Sequence, residues 1–372
     1  GLDLALGFRL DGFSLVMVLL VAGIGVLVQL GGLSAFARDR PGQHRLAGLL
    51  LVFTASMLGV VTASNLIVLY VAWELTSVSS YLLVGWNDED PSARAAALQA
   101  LLTTGLGGLA MLGGFVVIGQ AAGTYDLAAI AAAPPTGTAV SVGLVLVLVG
   151  VATKSAQVPF SSWLPGAMVA PTIVSAYLHS ATMVKAGVYL VARLAPVFAD
   201  QGPWRPVVLV LGIVTMVSGG WRALGQHDLK RILAFGTISQ LGFLVILFGI
   251  GSPEASAAGV ALLVAHALFK ACLFLVVGTV DHAAGTRDIR RLGRYGPGWG
   301  VPKALAVLSG ASMAGIPLLF GFVGKESALA ALVEGHGPGT APALVGVVVG
   351  SVLTFAYTVH LLRGAFGPPA AN

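Results

Sequence analysis

Apolar runs long enough to cross a bilayer follow one another down this chain, and the sequence between them is too short to form anything else. Bounded by polar or Gly/Pro punctuation, they fall near 12–36, 43–63, 64–86, 94–120, 139–157, 171–195, 206–222, 230–250, 256–281, 302–325 and 341–364. In lipid every backbone N–H and C=O must be satisfied within the segment, so each run is read as a helix. The fold class is therefore an all-α polytopic membrane protein with about eleven transmembrane helices. Composition supports this: across 372 residues, 57% hydrophobic against 9% charged cannot clothe a soluble globule. Glycine, at 50 residues, is nearly double its ordinary share of roughly 7% and suits close helix approach in lipid.

Several functions are excluded early. The net charge of +5 arises from basic residues scattered in short loops, not from a stripe interleaved with aromatics, so nucleic acid is not a partner. A single cysteine, Cys272, excludes a disulfide framework and a thiolate metal cluster. The first run lacks a basic leader and a cleavage site and reads as a spanning helix, not a signal peptide. The chain opens on Gly1, without a start methionine, and closes on Pro368, Pro369 and Asn372; this predicts a fragment of a longer protein.

Lys and Arg accumulate in cytoplasmic loops, which tests the parity of eleven spans. One face collects 13 basic residues, among them Arg38, Arg40, Arg45, Arg94, Lys230, Arg231, Arg287, Arg290 and Arg294; the other collects only Arg9, Arg193 and Arg205. The expected topology puts the first residue outside and the last inside.

Four lysines escape that division: Lys154, Lys185, Lys270 and Lys325 lie inside apolar runs or at breaks within them. Ionisable groups at bilayer depth are costly and point to function. Glu74 joins them, ten residues into its run and so roughly 15 Å deep in a core of about 30 Å. His179 and His266 complete the buried set. Burial and like charges favour a neutral amine, while a nearby carboxylate favours the ammonium, so moving one proton along such a row alters its neighbours' affinity. Histidines suit intermediate carriers. The competing reading is structural, each charge being one half of a pair that holds two helices together. His266 and Lys270, at i and i+4, share one helix face. His179 and Lys185, six apart, stand about 120° apart on a continuous helix.

Two of the lysines mark helix breaks. Lys154 precedes Gln157-Val158-Pro159-Phe160, and Lys325 follows Gly315-Ile316-Pro317 and Gly321. Backbone freed at membrane depth must be buried or line a wet cavity, and paired discontinuous helices point to an ion path. Five spans separate the breaks, near 154–160 and 315–325, as two inverted five-helix repeats require. The expected organisation is one transmembrane domain over 1–372, with a leading helix at 12–36, a first repeat at 43–195 and a second at 206–364. The glycines of 105–108 and 113–114 read as helix packing and not a phosphate loop, and Asn87-Asp88-Glu89-Asp90 before Pro91 as a solvated helix start.

The stretches Trp73-Glu74-Leu75-Thr76-Ser77-Val78-Ser79-Ser80, Lys154-Ser155-Ala156-Gln157-Val158-Pro159-Phe160 with Trp163-Leu164-Pro165, and Ser175-Ala176-Tyr177-Leu178-His179-Ser180 through Lys185-Ala186-Gly187 carry a resemblance. Together they resemble the proton-conducting antiporter-like family. That family includes the A-type subunit of Mrp-type multisubunit Na⁺/H⁺ antiporters and the antiporter-like subunits of respiratory complex I; Glu74-Leu-Thr-Ser and Lys185 after Met183-Val184 resemble the Mrp branch more. The resemblance implies fourteen spans in the whole fold, this chain starting at the third and lacking the last core span and a C-terminal extension. It also implies roles: Glu74 and Lys154 as the carboxylate and lysine of a first half-channel, His179 as the histidine of the next helix, Lys230, His266 and Lys270 as the central connection, and Lys325 as the lysine of the second broken helix. Lys230, which the charge tally puts in a loop, gains its role only in this way. Thr172-Ile173 and Gly166 depart from the family's usual Thr-Pro and Asp or Asn.

The expected function is proton translocation in a multisubunit Na⁺/H⁺ antiporter of a bacterial plasma membrane, through half-channels lined by Glu74, Lys154, His179, Lys185, Lys230, His266, Lys270 and Lys325. The expected partners are other antiporter subunits and the lipid bilayer. No cofactor is expected, since no flavin, quinone or iron–sulfur motif is present, and the chain is expected to be a transporter and not an enzyme. The alternatives are the proton-pumping arm of a complex I-like or hydrogenase-linked oxidoreductase, and a scaffold whose charges only hold a partner. No carboxylate cluster of sodium type stands inside a span, so the path of Na⁺ stays open.

Overall fold

A computed structural model describes residues 7–35, 43–292, 298–335 and 337–367. Arg38, Arg40 and Arg294 of the charge tally, and both chain ends, lie outside the described residues. The helices follow the apolar runs closely. In chain order they are α1 (Gly12–Ala35), α2 (Gln43–Thr62), α3 (Leu66–Val84), α4 (Pro91–Ala122), the short α5 (Leu127–Ala132), α6 (Thr138–Lys154), the four-residue α7 (Trp163–Gly166), α8 (Thr172–Ser180), α9 (Lys185–Phe198), α10 (Trp204–Leu224), α11 (Leu229–Ile250), α12 (Pro253–Ala284), α13 (Gly300–Ala314), α14 (Phe320–Glu334) and α15 (Thr340–Phe366). Nine spans among the described residues are long and apolar enough to cross a membrane, with α8 and α9 counted together as one; α6 is shorter, and α13 and α14 are two arms of a broken one. That arithmetic gives eleven crossings.

Local chemistry sets the ends. Asn65, Asp90, Asp228 and Ser252 each accept a backbone N–H of the first turn, at 2.8, 2.8, 3.0 and 3.2 Å, and Pro91 and Pro253 occupy the first helical position, where a missing N–H costs nothing. The expected solvated start at Asp90 is this cap. Gly251 and Gly285 stop α11 and α12 in the left-handed conformation. Small residues then let helices approach: a Cβ on Gly242 would stand 2.6 Å from the Gly212 carbonyl oxygen, so α10 and α11 touch backbone to backbone.

The helices are not equally enclosed. The most apolar membrane-length stretch of α11 is 94% buried, whereas those of α1, α2, α4 and α15 are each 39% buried. α11 is thus the central post, and the outer helices turn residues such as Leu102, Leu106, Val345 and Val352 outward, as a lipid-facing surface requires. One end of the bundle is held by Arg193 of α9, which donates to both Asp11 carboxylate oxygens at 2.6 and 2.7 Å and to Ser14 at 2.5 Å. The hydrogen bond from Arg193 holds the Asp11 carboxyl well below the usual carboxylate range. At the other end, Asp228 accepts from Arg287 at 3.0 Å and the Leu229 N–H donates to the Arg287 carbonyl at 3.1 Å, joining the α10–α11 turn to the segment after α12.

Three breaks interrupt the spans, one more than the sequence suggests. After α6 the chain crosses 155–159, with a cis Val158–Pro159 bond, into a short helical turn and α7. Between α13 and α14 it crosses 315–319, where Gly315 takes φ 85°. The second arm runs on to Glu334, beyond the expected end near 325. The unforeseen break, 181–184, divides the expected continuous helix over 171–195 into α8 and α9. No proline causes it. The Tyr177 carbonyl accepts both the Ala181 N–H, at 3.3 Å, and the Thr182 hydroxyl, at 2.8 Å, and Lys185 N–H then turns to the Thr182 carbonyl at 2.8 Å, three residues back, so the regular ladder lapses between them. His179 and Lys185 consequently sit on separate arms, and the 120° relation expected of one continuous helix does not apply.

Candidate functional site

All the singled-out lysines and histidines are enclosed. Lys154, His179, Lys185, His266 and Lys270 have 0% exposure, Lys230 1% and Lys325 8%, so none stands alone against lipid. Glu74 is half-buried on α3, between the exposed Leu75 and Val71 on one side and α4 on the other. Its Oε1 is buried and has no hydrogen-bond partner. Gly108 of α4 makes that position possible, because a Cβ there would collide with the carboxylate. The glycine packing read from 105–108 is thus also the seat of Glu74.

Lys154, the last residue of α6, does not hydrogen-bond Glu74 directly. Its ammonium donates to Ser77 Oγ at 2.7 Å and to the Trp73 carbonyl at 3.2 Å, and lies 5.3 Å from the centre of the Trp73 ring. Glu74 is within electrostatic reach. Trp73, Glu74 and Ser77 are neighbours on one helix, Ser77 being one turn beyond Trp73. The signal for Ser77 was its i+3 spacing from Glu74 within the Thr76-Ser77 pair; it hydrogen-bonds the lysine that the resemblance pairs with Glu74.

Lys230 is drawn inward at the start of α11. It donates to the Ala170 carbonyl at 2.9 Å and the Met168 carbonyl at 3.4 Å, both in the segment that leads from α7 to α8. It therefore does not behave as a loop residue, and it joins the chain's two halves. His179, near the end of α8, lies within electrostatic reach of Lys230 and beside the Trp163 ring, 6.2 Å between centres. Lys185, His266 and Lys270 form a further cluster in which each feels another's charge. Lys270 donates to the Leu233 carbonyl at 3.0 Å, while Lys185 Nζ and both ring nitrogens of His179 and His266 have no protein partner. Lys325 donates to the Ala314 carbonyl at 3.0 Å, at the end of α13, and has no ion-pair partner among the described residues.

The eight residues thus form three groups and one outlier: Glu74 with Lys154, His179 with Lys230, Lys185 with His266 and Lys270, and Lys325 alone. Among the described residues no group of three or more His, Cys, Asp or Glu side chains is placed to hold a metal ion. What the arrangement offers is a buried series of titratable groups, several with free lone pairs or N–H positions, linked by charge and not by contact.

Comparison with known proteins bears on what such a series does. Residues 63–354 match the family model described as "NADH:quinone oxidoreductase/Mrp antiporter, TM". The chain is 46% identical, over its whole length, to a probable K⁺/H⁺ antiporter A/B subunit of Rhizobium meliloti, covering 38% of that protein. It is 42% identical over 96% of its length to an Na⁺/H⁺ antiporter A1 subunit of Staphylococcus haemolyticus, covering 47% of it. Among solved structures, a chain of the Mrp complex from Dietzia sp. superposes with a TM-score of 0.90 at 39% identity, over 96% of this chain and 40% of that one. The chain spans less than half the length of each of these three relatives.

Proposed function

Because the chain belongs to the NADH:quinone oxidoreductase/Mrp antiporter transmembrane family, we propose that it is the proton-translocating core of the A-type subunit in a multisubunit monovalent cation/proton antiporter. The observation that carries this reading is the enclosure of several lysines and two histidines at membrane depth together with a half-buried carboxylate, with Lys154 held near Glu74 by Ser77 and Trp73. A structural role would pair these charges off. Instead Lys185, His179, His266 and Glu74 Oε1 keep unsatisfied polar atoms, which suits groups that take up and release protons.

In this reading a proton enters at Glu74 and Lys154, passes by way of His179 and Lys230 to Lys185, His266 and Lys270, and leaves toward Lys325. The groups are spaced too widely for direct transfer, so water is expected between them. Each arrival changes the charge felt by the next group, which is how a proton moving in one place is expected to drive another. Two inverted repeats, 43–195 and 206–364 after the leading helix 12–36, are supported by the breaks at 155–159 and 315–319, five spans apart. The face carrying Arg45, Arg94 and Arg287 is taken as cytoplasmic in a bacterial plasma membrane, with the first residue outside. The partners are the remaining antiporter subunits. The counter-ion is Na⁺ or K⁺, since relatives are named for each.

The test is flux in vesicles bearing the assembled complex. Glu74→Gln and Lys154→Ala are each expected to abolish cation-dependent proton movement while leaving assembly intact. Wild-type flux in both would refute the proposal, and co-isolation with redox subunits in place of antiporter subunits would assign the chain to the other branch of the family.

A further inference from the structure

Lys154 and Lys270 are both fully buried and both lie close to an aromatic ring, but only one of them has an acid within reach. Lys154 has Glu74 within reach and the Trp73 ring 5.3 Å away. Lys270 is as deeply buried, and among the described residues no carboxylate acts on it. The titratable groups that face it are Lys185 from α9 and His266 from its own helix, and both disfavour a second positive charge nearby. From α11 it meets the Leu233 carbonyl and from α15 the ring of Tyr357, whose centre is 5.9 Å from the ammonium. An ammonium against an aromatic face is favoured by the ring's negative quadrupole, more so when both are out of water.

Two features show that this contact is built. Gly236 lies between the partners: a Cβ there would stand 2.9 Å from Lys270 Nζ and 2.9 Å from Tyr357 Cε2, so only glycine leaves the gap open. Tyr357 is also pinned. Its hydroxyl donates to the Gly236 carbonyl at 3.4 Å and meets the side chains of Thr354 and Gln240, themselves joined by Gln240 Nε2 donating to Thr354 Oγ1 at 3.2 Å. Gln240, Thr354 and Tyr357 are all at most 1% exposed. Buried polar groups so arranged fix a side chain's orientation.

We propose that Tyr357 is a positioning residue for Lys270, its ring, aimed by Thr354 and Gln240 across the opening at Gly236, supporting an ammonium that has no carboxylate beside it. This rests on the proton-transfer reading above and deepens it. Tyr357 keeps the ammonium present in a centre otherwise hostile to it, and thereby sets the pH range over which the second half conducts.

The experiment measures the pH dependence of cation-coupled proton flux in proteoliposomes of the whole complex carrying Tyr357→Leu, Tyr357→Phe or Gly236→Ala. Loss of the ring in Tyr357→Leu, or its separation from Nζ in Gly236→Ala, should move the half-maximal point about one pH unit toward acid. Tyr357→Phe keeps the ring and should stay within a few tenths of a unit of wild type, with a lower maximal rate. A uniform loss of flux at an unchanged midpoint in Tyr357→Leu and Gly236→Ala, or a shift in Tyr357→Phe as large as in Tyr357→Leu, overturns the inference. If Tyr357→Leu does not assemble, Gly236→Ala and Tyr357→Phe decide by the same criteria. A wild-type complex with no proton-coupled flux would refute the parent reading instead, so the two failures are distinct.

Discussion

Replacing Gly108 with alanine tests whether the position of Glu74 matters, without touching any titratable group. An added Cβ would stand 3.0 Å from Glu74 Cδ and overlap its Oε1 outright. Normal carbon–oxygen contact needs roughly 3.3–3.6 Å, so the carboxylate must swing away by on the order of an ångström or α3 and α4 must part. Overpacking of this kind costs about 1–3 kcal/mol, and misplacing a reacting group by about 1 Å costs up to roughly a hundredfold in rate. The natural control is Gly105, one turn earlier on α4, where a Cβ meets nothing within 4 Å. There alanine should be neutral or stabilise the helix by about 0.5–1 kcal/mol. Proton-coupled flux and thermal unfolding of the two purified complexes should therefore diverge, with Gly108→Ala losing about ten- to a hundredfold in flux and Gly105→Ala losing none. Equal and undiminished flux in both would show that the seat of Glu74 on α4 has no bearing on transport.

Ser77→Ala removes the hydroxyl that accepts from Lys154 at 2.7 Å; the lost charge-assisted bond is worth about 1.5–3 kcal/mol, so flux should drop at least several-fold, with Ser77→Thr restoring most of it in the same vesicle assay. Asp11→Ala breaks the bonds to Arg193 at one end of the bundle, and because that pair is partly exposed, only about 1 kcal/mol of stability should go, read as a melting point lower by about a degree or two. Since Arg193 holds the Asp11 carboxyl below its ordinary value, the clasp is at full strength above about pH 4 and weakens only as pH falls further. The difference between wild type and Asp11→Ala should thus be constant from about pH 5 to 8, and its disappearance by pH 5 would contradict that assignment.

Hydropathy was enough to locate the spans, because lipid leaves the backbone one solution per apolar run and tolerates little else. Two breaks were legible for the same reason: Pro159 and the Gly315-Ile316-Pro317 sequence remove hydrogen bonds that lipid cannot replace. The break at 181–184 was not. Its visible mark is the Thr182 hydroxyl on the Tyr177 carbonyl, which Ala181 N–H also reaches, and Ser and Thr occur in many transmembrane helices without breaking them. The buried charges could be listed from the sequence, but not their partners. Ser77 came out ahead of Glu74 as the direct partner of Lys154 because contact depends on rotamer and helix rotation, to which periodicity is blind. Lys230 shows the same limit: by position it belongs to a basic loop, yet its long stem carries the ammonium inward to the carbonyls of Ala170 and Met168.

The partners the lysines do find explain why breaks and buried charges occur together. A regular helix spends its carbonyls on its own ladder, and where that ladder ends carbonyl oxygens are left over to solvate a cation, although Trp73 and Leu233 show that a carbonyl within a helix can also accept from a buried lysine. Lys325 takes Ala314, the last residue of α13, and Lys230 takes Met168 and Ala170, where the turn before α8 ends. Lys154 stands at the end of α6, the pole that favours positive charge, with Trp73 and Ser77 supplying its acceptors. Lys185 is the opposite case. It begins α9, where N–H groups and not carbonyls point outward, and its amine has no protein partner. A break therefore supports charge on its carbonyl side and withholds support on its amide side.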